Sequence, residues 1–230
     1  MKTLRAFILL TFALVAGTDN ITARQRHNGN GLNYSSAVFI GTSITLGVRP
    51  GVTATQTIPY LVGSNLGYVP SIDAGVGGDT STGMAARFDH DVLALNPALI
   101  SIEAGTNEPG AGISVGTYTA NITGMLQKAL RSGARVTLFV SPYTCDGGGP
   151  GLGLDGQIEP YRAAMRALAV TYGTDLFDTY ADFIALPGAT QTAYFNPGDC
   201  EHFSPAGLAW NAGLVGTGNY ANSFKARTKG

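Results

Sequence analysis

The sequence predicts a single α/β domain, a mostly parallel five-stranded sheet with helices on both faces. Two observations predict it. Short apolar runs alternate, from Ser36 to Val215, with segments whose apolar residues recur every three to four positions. The residues best suited to chemistry each follow one of those runs: Ser43 the first, Gly78 the second, Asn107 the third, Cys145 the fourth. In a parallel sheet all four then share one edge, beyond the carboxyl ends of the strands, where such folds bind ligands.

Each element has its own warrant. Ser36-Ala37-Val38-Phe39-Ile40 is a short apolar run ending at glycine, the pattern of a buried strand. Ile58, Leu61, Val62 and Leu66 share one face of a predicted helix over 55–66, and Gly67 stops it. A second strand falls at 68–72. Met84, Phe88, Val92 and Leu95 place a helix over 82–95, and 98–103 reads as the third strand. Tyr118, Ile122, Met125, Leu126 and Leu130 line a helix over 116–132, which Gly133 ends before a fourth strand at 135–140. A glycine-rich loop over 146–156 leads to an amphipathic helix over 158–172 and a short fifth strand at 174–178. A loop of aromatics, glycine and proline then runs to Asp199. The last helix, 204–215, has Ser204 as its cap and Pro205 at its first position.

Composition narrows the function classes. At 230 residues the chain suits one domain with a sizeable core. Charged residues make up only 13% and the net charge is −1, so long-range attraction to nucleic acid is absent. Lys2 and Arg5 followed by the apolar stretch 6–16 read as a secretory leader over 1–17, too short to span a bilayer, which takes about 20 residues. A buried first element or an uncleaved anchor is the alternative. A polar arm over 18–34, the domain over 35–222 and a tail over 223–230 complete the organisation, and a secreted or periplasmic monomer is the expectation. Cys145 and Cys200 suit one disulfide in an oxidising compartment, with two partly buried thiols as the alternative. His27, His90 and His202 are the only histidines, and no two have metal-ligand spacing.

Acyl transfer needs an exposed hydroxyl, an imidazole to take its proton and a carboxylate to hold that imidazole in one tautomer. Ser43, in Gly41-Thr42-Ser43-Ile44-Thr45, lies on a strand-to-loop turn, where a plain turn or cap role is the competing reading. Asp199, three residues before His202 in Asp199-Cys200-Glu201-His202, can supply the rest from one turn of chain. Gly78, in a double glycine, lets backbone approach a ligand, and Asn107 offers a side-chain amide to an oxyanion. Asp79, Glu103 and Glu108 lie near the same edge and could instead form an acid/base pair for glycoside hydrolysis. That reading leaves Ser43 and the Asp199/His202 pair unexplained.

Assembled in this order, the blocks resemble the SGNH (GDSL-type) hydrolase family, named for a Ser, a Gly, an Asn and a His in separate blocks. The resemblance runs over about 37–215 and implies a flavodoxin-like three-layer sandwich, no cofactor, and esterase, lipase, thioesterase or carbohydrate-deacetylase activity. It assigns Ser43 as nucleophile, His202 and Asp199 as its triad partners, and Ser43, Gly78 and Asn107 as oxyanion donors. Thr42 and Glu108 each stand where the family usually has Asp, and Cys200 where glycine is frequent. Tyr143, Tyr194, Phe195 and Phe203 either border a shallow site suited to a short acyl group on a carbohydrate or serve as core anchors. A lipase, a lysophospholipase, a thioesterase or a non-catalytic carbohydrate-binding module on the same fold are the alternatives.

Overall fold

The computed structural model describes residues 33–47, 49, 51–68, 70–145, 150–215, 220 and 224. The expected leader and the arm up to residue 32 lie outside the described residues, as does loop 146–149. Five strands, β1 (Asn33–Gly41), β2 (Ser71–Gly75), β3 (Pro97–Ala104), β4 (Arg135–Val140) and β5 (Asp175–Phe177), form one sheet in the order β2-β1-β3-β4-β5. Every neighbouring pair is parallel. This is the flavodoxin-like order, in which the chain winds one way from β1 to β2 and the other way from β3 onward.

The helices are α1 (Ser43–Leu46), α2 (Ile58–Leu66), α3 (Ser81–Asp91), α4 (Val115–Ser132), α5 (Gly153–Tyr172), α6 (Tyr180–Ile184), α7 (Gly188–Ala193) and α8 (Pro205–Gly213). Strand side chains alternate between two cores, as the period of two requires. Val38, Ile40, Ile100, Ile102, Val136 and Leu138 join α3, α4 and α5 on one face. Ala37, Phe39, Leu99 and Phe139 join α2, α6 and α8 on the other.

Departures from the expected boundaries have local causes. β1 starts at Asn33, inside the expected polar arm, because its first residues are polar and its pairing with β3 shifts register between Asn33 and Ala37. The helix expected through Leu95 leaves α geometry at Val92 and finishes as a 3₁₀ turn, Leu93–Leu95, closed by Asn96 in the left-handed region at φ 47. α6 and α7 occupy the segment read as loop; at five and six residues they are too short for a periodic pattern to register.

α5 begins five residues before the expected start, and an ion pair explains why. Asp155 and Arg162, both fully buried, meet at 2.5 Å two turns apart on this helix. Arg162 also donates to the carbonyls of Ser141 (2.8 Å) and Pro142 (2.6 Å), just after β4. Asp155 accepts from the amides of Thr144 and Gly151 and from the Tyr180 hydroxyl. Each charge is thus satisfied on several sides, the condition under which a buried pair is tolerated. Arg162→Ala leaves Asp155 buried without its cation and should cost about 3–5 kcal/mol in urea unfolding. A loss below about 1 kcal/mol would show that water or a rearranged loop satisfies Asp155.

Candidate active site

Ser43 opens α1 directly beyond β1. Thr42 caps that helix: its Oγ1 accepts from the Ile44 amide at 3.1 Å. The same hydroxyl donates to Glu103 Oε2 at 2.7 Å, joined there by the Thr42 amide at 2.8 Å and Thr45 Oγ1 at 3.1 Å. Glu103 belongs to β3, so its carboxylate clamps the nucleophile turn to the neighbouring strand. Only glycine fits at 41, since a Cβ there would overlap Thr45 Oγ1 and come within 2.7 Å of Glu103 Oε2.

Burial pushes the Glu103 carboxyl from its ordinary 4.5 up to about 7, against the lowering effect of the Thr42 and Thr45 hydrogen bonds. Its Oε1 is buried without a hydrogen-bond partner among the described residues. Glu108 is also fully buried, and burial raises its carboxyl too, even though Oε1 accepts from the Ser81 amide at 2.7 Å. That amide lies in the first turn of α3, whose dipole favours an anion. Asp79 is held by Arg87 at 2.9 Å and by the Thr80 amide at 2.8 Å. The three carboxylates therefore brace loops, which removes the glycosidase alternative.

His202 Nε2 stands 2.9 Å from Ser43 Oγ, and its Nδ1 stands 2.7 Å from Asp199 Oδ2. Asp199 Oδ1 accepts from the amides of Glu201 (2.8 Å) and His202 (3.0 Å), so the carboxylate folds its own loop around the imidazole. Burial works to raise the Asp199 carboxyl, but these amides and the ring outweigh it and hold it below the usual range. An ionised carboxylate only accepts, so Nδ1 carries a proton toward it and Nε2 presents its lone pair to Ser43.

Gly78 and Asn107 arrive where the sequence places them. The turn Val76–Asp79 is closed by the Asp79 amide on the Val76 carbonyl at 3.2 Å, with Gly78 at φ 75 in the third position, the conformation that favours glycine. Asn107 Nδ2 spends one hydrogen on the Asp79 carbonyl at 2.8 Å, which ties the loop after β3 to the loop after β2. Cys145 and Cys200 are bonded, with Cα atoms 4.8 Å apart, and the Cys145 amide donates to the Cys200 carbonyl at 2.9 Å. The loop carrying Asp199 and His202 is thereby fastened to the chain leaving β4.

A cavity of about 10 Å³ lies against Ser43, lined by Ile44, Gly47, His202, Phe203 and Leu208. That is room for roughly one water or a methyl group. Of the four aromatics that could have bordered the site, Tyr143, Phe195 and Phe203 are buried in one cluster around Phe183, and Tyr194 stacks on Trp210. They are core anchors, and only Phe203 also faces the cavity. One neighbour was not anticipated: Arg49 Nη2 lies 2.8 Å from His202 Nε2. Its signal in the sequence is slight, a single cation six positions after Ser43 in a chain with 14 Lys and Arg.

The raised Glu103 carboxyl fixes the sign of a pH effect. Between 4.5 and about 7 the native state holds a proton there that the unfolded chain has released, so stability falls as pH rises through that window. Glu103→Gln keeps an acceptor for Thr42 and Thr45 and removes the titration. Measured by urea unfolding, its stability relative to wild type should rise across that window; a flat difference would contradict the assignment.

A family model for the GDSL-like Lipase/Acylhydrolase family matches residues 39–210. Esterase TesA of Pseudomonas aeruginosa is 37% identical over 68 residues, which are 30% of this chain and 34% of that esterase, so the match spans about a third of that relative. Among solved structures, the lipase/acylhydrolase from Enterococcus faecalis aligns with a TM-score of 0.68 at 22% identity, over 84% of this chain and 99% of that one. Axe2, an acetylxylan esterase from Geobacillus stearothermophilus, aligns with a TM-score of 0.63 at 22% identity, over 78% of this chain and 92% of that one. At these identities the two structures show a shared fold. The family match covers well over half of the chain and encloses Ser43, Gly78, Asn107, Asp199 and His202, and the chain belongs to the GDSL-like lipase/acylhydrolase family.

Proposed function

We propose that this chain is a serine ester hydrolase that works through an acyl-enzyme on short-chain esters such as acetylated carbohydrate. The observation that carries this reading is the unbroken line of hydrogen bonds from Ser43 Oγ through His202 to Asp199, at 2.9 and 2.7 Å. Ser43 Oγ attacks the ester carbonyl while its proton passes to His202 Nε2, and Asp199 stabilises the imidazolium. The tetrahedral oxyanion takes donors from the Ser43 and Gly78 amides and from Asn107 Nδ2. Ser43 stands at the first position of α1, where helix geometry leaves the amide without an intrahelical acceptor. Collapse expels the alcohol, which takes the proton from His202. Water then attacks the acyl-enzyme with His202 again as base, releasing the acid and restoring Ser43.

The acyl preference is supported by the small cavity beside Ser43, lined by Ile44 and Leu208, which suits an acetyl methyl. A carbohydrate alcohol is suggested by the fold shared with Axe2, an acetylxylan esterase. Export is part of the same proposal, supported by the basic and apolar start of the sequence and by the Cys145–Cys200 bond.

Two measurements test the reading. Hydrolysis of p-nitrophenyl acetate should exceed that of the butyrate and octanoate, and Ser43→Ala should abolish turnover, a loss of about 10⁴-fold or more. A preference for octanoate would move the chain toward the lipases, and equal rates for wild type and Ser43→Ala would remove the nucleophile assignment. Asn107→Ala should lower kcat by about 10²–10³-fold with little change in KM, as loss of one oxyanion donor does. A purely KM effect would make Asn107 a ground-state contact.

A further inference from the structure

Arg87 lies on α3, and the fork of its guanidinium reaches three places at once. Nε donates to Asp79 Oδ2 at 2.9 Å, Nη1 to Asp91 Oδ2 at 3.0 Å and Nη2 to the Gly41 carbonyl at 3.3 Å. Asp91 is one turn further along the same helix. The other two contacts leave α3 for the site: Gly41 ends β1, two residues before Ser43, and Asp79 directly follows Gly78. The Arg87 and Asp79 side chains are 20% and 10% exposed, so water competes less for this pair than for one on the surface.

Asp79 carries that grip to the oxyanion donors. Its amide closes the turn on Val76 that holds Gly78 at φ 75. Its carbonyl accepts from Asn107 Nδ2 at 2.8 Å, a bond that fixes the plane of the amide and so the direction of its second hydrogen. Its carboxylate, held between the Thr80 amide at 2.8 Å and Arg87, settles where both backbone groups stand. α3 leaves room for that carboxylate only because residue 83 is glycine: a Cβ there would come within 2.0 Å of Asp79 Oδ1. Gly83 is four residues before Arg87, on the same face of the helix. Charge adds a second demand. A carboxylate one residue from an oxyanion donor opposes the negative charge that develops there, and the guanidinium offsets it.

We propose that Arg87 is a positioning residue for the oxyanion hole. By holding the Asp79 carboxylate it aims the Gly78 amide and Asn107 Nδ2, and by holding the Gly41 carbonyl it keeps them in register with Ser43. This rests on the ester-hydrolase reading and extends it to a residue that touches no substrate. Full charge reaches the oxyanion only beyond the ground state, so lost aim acts on kcat and leaves KM alone.

The test measures kcat and KM on p-nitrophenyl acetate, with urea unfolding of each protein. The set is wild type, Ser43→Ala, Arg87→Met, Arg87→Lys, Gly83→Ala, Asn107→Ala and the double variant Arg87→Met/Asn107→Ala. Arg87→Met should lower kcat by about 10- to 100-fold, less than the loss from removing a donor outright, with KM within about twofold. Arg87→Lys returns the charge without the fork and should recover part of that loss. Gly83→Ala separates placement from stability. Alanine suits a helix better than glycine, so α3 is not weakened, yet the new methyl displaces the Asp79 carboxylate and should lower kcat in the same way. Because Arg87 acts in part through Asn107, the double variant should lose less than the product of the two single losses. Losses that multiply, a loss that falls on KM, or an undiminished kcat in Arg87→Met would make Arg87 a support of α3 and overturn the inference. Gly83→Ala at wild-type kcat would overturn it too. In each of those outcomes the hydrolase reading stands if wild-type turnover depends on Ser43, whereas equal rates for wild type and Ser43→Ala would overturn both.

Discussion

Parallel pairing of β1 with β2 on one side and β3 on the other is the constraint from which the site follows. It sends the loops leaving all three strands to one edge, and the reversal of winding at β1 and β3 parts the helices there. Ser43 leaves β1, the Gly78 turn leaves β2 and Asn107 leaves β3, so three segments far apart in sequence converge without any long excursion. Backbone and side-chain bonds then lock the loops to one another. The Gly41 carbonyl accepts from the Val76 amide at 3.0 Å and from Arg87 at 3.3 Å, and the Asp79 carbonyl accepts from Asn107.

That convergence is held by groups that folding alone would not choose. Two carboxylates lie fully buried under the site, each with one oxygen bonded to backbone and the other without a partner among the described residues. Burying an ionisable group without full compensation costs stability. What Glu103 supplies in return is placement: three donors from Thr42 and Thr45 meet on one oxygen, leaving the nucleophile turn little freedom. Preorganised donors and nucleophiles are where enzymes concentrate such strain. Thr42 fits this arrangement: its hydroxyl both caps α1 and reaches the Glu103 carboxylate.

Much of this was legible in the residues. Periodicity placed four of the five strands closely, since each is an apolar run set between helical patterns. β2, Ser-Ile-Asp-Ala-Gly at 71–75, has only two apolar residues and lies three positions beyond the expected 68–72. The five residues assigned to the chemistry meet at one edge because the loops that carry them directly follow strands or, for Asp199 and His202, close on themselves. The rest was hidden for physical reasons. The start of α5 depends on Asp155 and Arg162 finding each other inside the protein, a contact that a polar residue in a glycine-rich stretch does not advertise. Glu103 and Glu108 looked available for acid/base work, since a carboxylate's burial comes from the packing of neighbours and not from its own position. The aromatics looked like a binding border for the same reason. Arg49 was invisible because its significance is a distance to a residue 153 positions away.

The bond between Ser43 and His202 joins residues separated by 159 positions. Closing a loop of that length is entropically slow to reward, so the pair cannot form from local structure and must await the docking of most of the sheet. The Cys145–Cys200 bond changes this connectivity. Once it exists, Asp199 and His202 travel with the segment after β4 and need no independent search for the serine. Regain of activity in a refolding experiment would therefore report the last stage of assembly, later than helix content or burial of the sheet, and reducing the bond beforehand would lengthen that lag more than it changed the early phases.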